Sequence, residues 1–100
     1  MTTRLETFSF LPPLDRRDVR LQIEHILAEG WLPIVEYGTD PTQFLWSWWK
    51  LPLMEATVEQ VVEEIDACAR AHPDAYVRLV GWDAAGGQRP RIAFVVRRPR

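Results

Sequence analysis

The sequence predicts an α+β fold: a four-stranded antiparallel sheet with two helices packed on one face, plus an N-terminal arm. Three observations carry this prediction. Two segments show one-sided apolar stripes at helical spacing. Each is followed by two strand-like segments. The connection inside each strand pair is too short for a crossover, so both pairs are hairpins. The resulting order is α-β-β-α-β-β, and such elements bury most apolar surface as one sheet covered on a single face. At 100 residues the chain has the size of one domain spanning 1–100, with 1–14 as the arm.

The first helix is expected from about Asp15 to Glu29. Asp15 caps its first turn, Asp18 adds favourable charge there, and Gly30 supplies a left-handed end. Val19, Ile23, Ile26 and Leu27 form its buried stripe. Trp31 to Tyr37 alternates as a strand in which Pro33 has no N–H to donate. This strand therefore lies at a sheet edge, or Pro33 lies near its beginning. Gly38 to Thr42 is rich in turn formers, and a second strand follows from Gln43 to Leu51. Thr57 and Gln60 match a capping box. The second helix then runs to His72-Pro73, with Val61, Val62, Ile65, Cys68 and Ala69 on its apolar side. The last two strands, about Ala75–Asp83 and Arg91–Arg98, are joined by the turn Ala84-Ala85-Gly86-Gly87.

The second strand raises the functional question, because Trp46, Trp48 and Trp49 fall within four positions. Side chains alternate along a strand, so Phe44, Trp46, Trp48 and Lys50 share one face, and Leu45, Ser47, Trp49 and Leu51 share the other. Only one face lies beneath the helices, which leaves at least one tryptophan on the helix-free side. If the face with Trp49 is core, Phe44, Trp46 and Trp48 present roughly 450–750 Å² outward, at or above the largest apolar patch of a typical monomer. Three readings compete: internal cover by curling strands and the arm, a stacking platform for nucleic-acid bases, and a protein interface. A stacking platform needs flanking basic residues, and the strand has only Lys50 in a chain of net charge −2. Trp is a usual interface anchor, which favours a protein partner.

No catalytic constellation stands out. Cys68 is alone and lies on the apolar side of a helix, so it reads as a packing residue, without a disulfide framework or zinc quartet. His25 and His72 read as surface or capping histidines, and no ligand spacing accompanies either. Gly86-Gly87 joins two strands and is not a phosphate cradle. Glu59, Glu63, Glu64 and Asp66 read as a solvated acidic helix face, and the C-terminal arginines 89, 91, 97, 98 and 100 as solvating charge. Glu36 shares parity with Leu32 and Ile34, so its carboxylate either needs a partner at the edge of an apolar face or is exposed at the strand end. The N-terminus has no secretory or transit pattern and no apolar run approaches ~20 residues. The expectation is a cytoplasmic protein binding neither membrane nor nucleic acid.

The arm Glu6-Thr7-Phe8-Ser9-Phe10-Leu11-Pro12-Pro13-Leu14 resembles the ETFSYLPPL signature of the small subunit of ribulose-1,5-bisphosphate carboxylase/oxygenase (Rubisco). Gly30 to Pro33 and Ile34 to Tyr37 resemble the family's GWxPxIEF, and Trp46 to Leu53 resembles YWxMWKLPMFG. Val77 to Asp83 with Ala93 to Val96 is similar to VRxxGFD and AFVVxRP. These matches stand in the family's order over nearly the whole chain. It departs at Leu45, where the family has Tyr, at Trp48 (Met), and at Met54-Glu55 (Phe-Gly). The short Gly38–Thr42 connection, and an end at Arg100 without a hairpin extension, point to the bacterial, green-type branch.

The resemblance implies a non-catalytic subunit. Eight such chains, four at each end, cap eight large subunits, with contacts between neighbouring small subunits as a further option. The chain itself holds no cofactor, and Mg²⁺ and the carbamylated lysine belong to the large subunit. The implied large-subunit interface is Glu6, Thr7, Phe8, Ser9, Phe10, Leu11, Pro12, Pro13, Glu36, Trp46, Trp49, Lys50, Leu51 and Pro52. Its apolar members would exclude water while Glu36 and Lys50 supply charge. The implied location is the bacterial cytoplasm, free or within a carboxysome. The alternative from the residues alone is a stand-alone αβ ligand-binding or regulatory domain using the open sheet face.

Overall fold

The computed structural model describes residues 4–6, 15–40, 42 and 45–99. In chain order the elements are β1 (Arg4–Glu6), α1 (Arg16–Ala28), β2 (Leu32–Gly38), β3 (Ser47–Trp48), α2 (Val58–Ala71), β4 (Tyr76–Asp83) and β5 (Arg89–Arg97). The four antiparallel strands stand in the order β5-β4-β2-β3, which keeps the two strands of each expected hairpin side by side. The arm adds a fifth strand: β1 pairs in parallel with β5, from Arg4 opposite Ile92 to Glu6 opposite Phe94. Both helices contact the central strands β2 and β4 or one another.

Local chemistry sets the helix starts. The Asp15 carboxylate accepts from the Asp18 backbone N–H at 2.7 Å, satisfying one of the first-turn donors. At α2 the capping box is complete: Thr57 Oγ1 accepts from the Gln60 backbone, and the Gln60 side chain accepts from the Thr57 backbone. Gly30 adopts φ +77° after α1, the left-handed conformation that glycine takes without cost.

The main core lies between the helices and the sheet. Val19, Ile23 and Ile26 of α1 and Val61, Ile65 and Cys68 of α2 pack on Val35, Val77, Leu79, Ile92, Phe94 and Val96. Gly81 permits this closeness. A Cβ there would stand 2.9 Å from Ile92 Cγ2 and 3.1 Å from Ile26 Cγ1, so only a bare backbone fits beneath α1. The opposite sheet face carries a smaller cluster of Ile34, Val80 and Ala93 with Trp82 against it.

One strand expectation is borne out and one changes. Pro33 sits second in β2, opposite Gly81 of β4 and beyond the end of β3, which takes the second of the two positions allowed for it. The strand expected over Gln43–Leu51 is far shorter, since β3 is Ser47–Trp48 and pairs only with Glu36 and Tyr37. Beyond it the Trp49 N–H donates to Val35 O at 2.8 Å, and the Leu53 N–H donates to Pro33 O at 2.9 Å. Four residues thus advance along one side while two advance along the other. The surplus bulges outward at Lys50-Leu51-Pro52, where Pro52 has no N–H for a ladder.

Candidate functional site

The bulge decides where each tryptophan goes. Within β3 the alternation holds: Trp48 stands opposite Glu36, so both project from the helix-free face. Trp46 lies on the same side, with the Arg78 guanidinium carbon 4.4 Å from its ring centroid. Trp49 turns the other way and packs against the main core, as expected for its face.

Three placements along this segment are corrected, Leu45 before β3 and Lys50 and Leu51 after Trp48, where the parity fails. Lys50 does not share the face of Trp46 and Trp48; its Nζ donates to Glu64 of α2 at 3.1 Å. Leu45 and Leu51, placed with Trp49 on a core face, are instead 80% and 75% exposed. After Trp48 the cause is tertiary. Glu64 accepts from Trp49 Nε1 at 3.0 Å and from Lys50, drawing consecutive residues toward one helix. Two neighbours cannot point the same way in a flat strand.

Glu36 resolves in favour of a partner. Its residue is 8% exposed, and Arg78 Nε and Nη2 donate to the same oxygen, Oε1, at 2.9 and 2.6 Å. Arg78 stands directly across from Glu36 in β4, so an opposite-charge cross-strand pair forms on the helix-free face. The guanidinium thus meets both this carboxylate and the Trp46 ring. Oε1 carries both donors, and among the described residues Oε2 has no hydrogen-bond partner. The sequence signal for Arg78 was its charge within an otherwise apolar strand, but the register that sets it against Glu36 is a tertiary property.

Some other charged side chains are less solvated than expected, whereas Glu59 stays exposed. Glu59 binds Arg20, Glu64 binds Lys50 and Trp49, and Asp66 binds Arg97 at 2.6 Å. Of the C-terminal arginines, Arg91 is held by Asp83 at 2.9 Å, where the carboxylate also accepts from the Gly86 N–H. That backbone bond, with Arg91 adding to it, holds the Asp83 pKa below the usual carboxylate value. His72 does more than cap α2. Its ring stacks on Tyr37 at 3.9 Å and meets Trp49 edge-on at 5.8 Å, tying the C-terminus of α2 to β2 and to the bend. Cys68 is fully buried, and burial pushes its thiol up to about 11, which keeps it a neutral packing group.

Among the described residues, the segment from Leu45 to Met54 also holds four of the five exposed large apolar side chains: Leu45, Trp48 (49%), Leu51 and Met54 (74%). Of the interface set that the resemblance implies, the structure gathers Glu36, Trp46, Trp49, Lys50, Leu51 and Pro52 around the β3 edge. Glu6 ends β1 at the far edge of the sheet, separated from β3 by β5, β4 and β2. Thr7, Phe8, Ser9, Phe10, Leu11, Pro12 and Pro13 lie outside the described residues, as does Phe44. No described helix is long and apolar enough to cross a membrane, and no described group of three or more His, Cys, Asp or Glu side chains stands ready to hold a metal ion.

Comparison with known proteins bears on what such a surface is for. The family described as ribulose bisphosphate carboxylase, small chain, matches residues 5–99. The ribulose bisphosphate carboxylase small subunit of Prochlorococcus marinus (strain MIT 9313) is 46% identical over 95 residues, covering 92% of this chain and 83% of that protein. The small subunit of Nitrobacter vulgaris is 46% identical over 99 residues, covering 95% and 91%. Among solved structures, a chain of Rubisco from Galdieria partita superposes with a TM-score of 0.83 at 33% identity, over 95% of this chain and 72% of that one. Sequence, fold and exposed surface therefore agree that the chain belongs to the ribulose bisphosphate carboxylase small-chain family, as a non-catalytic subunit that stabilises the large-subunit complex.

Proposed function

We propose that this chain, acting as one domain over residues 1–100, docks on the large subunit through the helix-free face and the β3 edge. The contact set is Glu36, Trp46, Trp49, Lys50, Leu51 and Pro52, with the arm residues Glu6 to Pro13 as a second strip. The observation that carries this reading is the segment from Leu45 to Met54, which exposes four large apolar side chains while pinned by Glu64, Val35 and Pro33. Exposed apolar surface held in a fixed shape suits a partner and loses little entropy on binding. Within the set the roles divide. Trp46 and Leu51 offer apolar area, Glu36 offers the free Oε2 as an acceptor, and Trp49 and Lys50 hold the segment against α2. Trp48 joins the apolar group as a residue the contact set did not include.

The assembly is eight large and eight small chains, four small chains at each end, in the bacterial cytoplasm or in a carboxysome. A subunit without catalytic groups acts on the reaction by fixing the relative positions of large subunits and stiffening the elements behind their active sites. Catalytic rates respond to sub-ångström misplacement, so a remote buttress alters turnover and the choice between CO₂ and O₂. The test is to mix the chain with a bacterial large subunit and weigh the product by native mass spectrometry. A mixed species of eight plus eight is expected. Failure to form a mixed oligomer with any bacterial large subunit would overturn the proposal.

A further inference from the structure

Of the three tryptophans around β3, two are engaged within the chain. The Arg78 guanidinium carbon stands 4.4 Å from the Trp46 ring centroid, and Trp49 donates its indole N–H to Glu64 at 3.0 Å and meets His72 edge-on. Trp48 differs. It is 49% exposed, and among the described residues its ring makes no stacking or cation contact and its indole N–H has no acceptor. Glu36, directly across the ladder, bonds Arg78 through Oε1 and makes no bond to the indole. The Trp48 backbone is nonetheless fixed. It pairs with Glu36, and immediately after it the Trp49 N–H donates to Val35 O at 2.8 Å. A tryptophan side chain has only two torsions, so this ring stands out from a fixed point with little entropy to lose on binding.

Resting on the docking of this face proposed above, we infer that Trp48 is the residue by which this chain selects among large subunits. The matching large subunit carries a recess for the ring and an oxygen acceptor for its N–H. Apolar area alone does not select, because any apolar surface gains from covering it. Two other properties do. The ring is bulky and rigid, so a surface without a recess is held off and the contacts beside it open. The N–H is satisfied by water in the free chain, so burying it without an acceptor strands a donor and loses affinity roughly tenfold. Position 48 is also where the chain departs from the small-chain motif, which has methionine. Methionine is unbranched, adapts to irregular surfaces and brings no donor, so a large subunit fitted to it needs neither recess nor acceptor. Discrimination therefore runs both ways: tryptophan clashes on a surface fitted to methionine, and methionine leaves a recess unfilled and an acceptor unpaired.

The test is a competition. Equal amounts of this chain and its Trp48→Met variant are mixed with a limiting amount of large subunit, and native mass spectrometry reads which is taken up. Two large subunits are used: that of the organism that makes this chain, and that of a bacterium whose own small subunit carries methionine at this position. The first is expected to take up the unsubstituted chain roughly tenfold over the variant, and the second to reverse the order by a similar factor. Trp48→Phe keeps an aromatic ring without the N–H, and on the first large subunit it should lose to the unsubstituted chain roughly fivefold. The same order on both large subunits, or no preference on either, would overturn the inference and leave the docking reading standing. Equal uptake of Trp48→Phe would overturn it too, since the ring would then suffice without its N–H. Uptake of no small chain by either large subunit would overturn both. Trp48 lies outside both apolar clusters, so the three chains are expected to share one urea midpoint. Midpoints lowered in step with the loss of uptake would make Trp48 a residue of the fold and overturn the inference.

Discussion

Glu55 is the residue where a local rule is broken. Its φ is +53°, in the left-handed region where a side chain's Cβ crowds the following carbonyl. The family motif has glycine at this position, and the structure supplies the reason: the chain must reverse here between the bulge and the Thr57 cap of α2. Holding a non-glycine residue in that conformation costs ~1–2 kcal/mol, against which glycine's greater freedom in the unfolded chain offsets ~0.5–1. Glu55→Gly is therefore expected to stabilise the chain by about 0.5–1 kcal/mol, read as a higher midpoint in urea unfolding with an unchanged slope. A lower midpoint would show that the Glu55 side chain has gained a contact worth more than the strain. The neighbouring Met54 remains 74% exposed, so its departure from the motif changes the surface and leaves the backbone unstrained.

The bend after β3 shows how one helix residue shapes a strand. Glu64 accepts from Trp49 Nε1 and Lys50 Nζ, and the Trp49 bond, with Lys50 adding to it, holds the Glu64 carboxyl below its usual value of 4.5. A carboxylate whose folded pKa is lowered stabilises the fold above its unfolded value, and that contribution is lost as pH falls through the folded pKa. The bend should therefore loosen below about pH 4.5, followed by Trp49 fluorescence in a chain with the other tryptophans replaced by phenylalanine. Glu64→Gln keeps an acceptor for Trp49 and loses the charge pair, so it should cost about 0.5–1 kcal/mol at neutral pH and flatten this part of the acid profile. An acid profile identical to that of the unsubstituted chain would remove Glu64 from the role. This element also marks what was legible in the sequence. The Asp15 cap, the Thr57–Gln60 box and the apolar stripes of both helices are local patterns, and each stands where the residues placed it. The length of β3 is set by an acceptor 15 residues away on α2, so the alternation of Gln43–Leu51 had no means of registering where the strand stops. The stacking of His72 on Tyr37 and the pairing of Arg78 with Glu36 were hidden in the same way, being consequences of register and helix placement.

At the scale of the molecule, the chain has two chemically different sides. The helix side closes over a continuous core, while the other presents a buried ion pair, three tryptophans (Trp46, Trp48 and Trp82) and an exposed apolar rim along β3. This asymmetry separates residues that hold the fold from residues that hold the complex, and Trp46 is the cleanest probe of the second kind. Its ring covers the Arg78 guanidinium and lies outside both apolar core clusters. Trp46→Ala should cost the isolated chain about 0.5–1 kcal/mol, the worth of an exposed cation–π contact. In assembly the same change removes a buried aromatic anchor, for which ~2 kcal/mol or more is typical, roughly thirtyfold in affinity at each docking site. Glu36→Gln keeps the side chain's shape and an acceptor for Arg78, while the freed position changes from an acceptor to a donor. Glu36→Ala is a poorer probe, because it strands a mostly buried guanidinium and unsettles the fold as well. Titrating the large-subunit complex with each variant, beside urea unfolding of the same chains, separates the two effects. Assembly defects well beyond the loss of chain stability are expected for Trp46→Ala and Glu36→Gln. Equal losses in both measurements would place Trp46 and Glu36 among the residues that hold the fold, and would move the docking surface to the arm and the exposed rim alone.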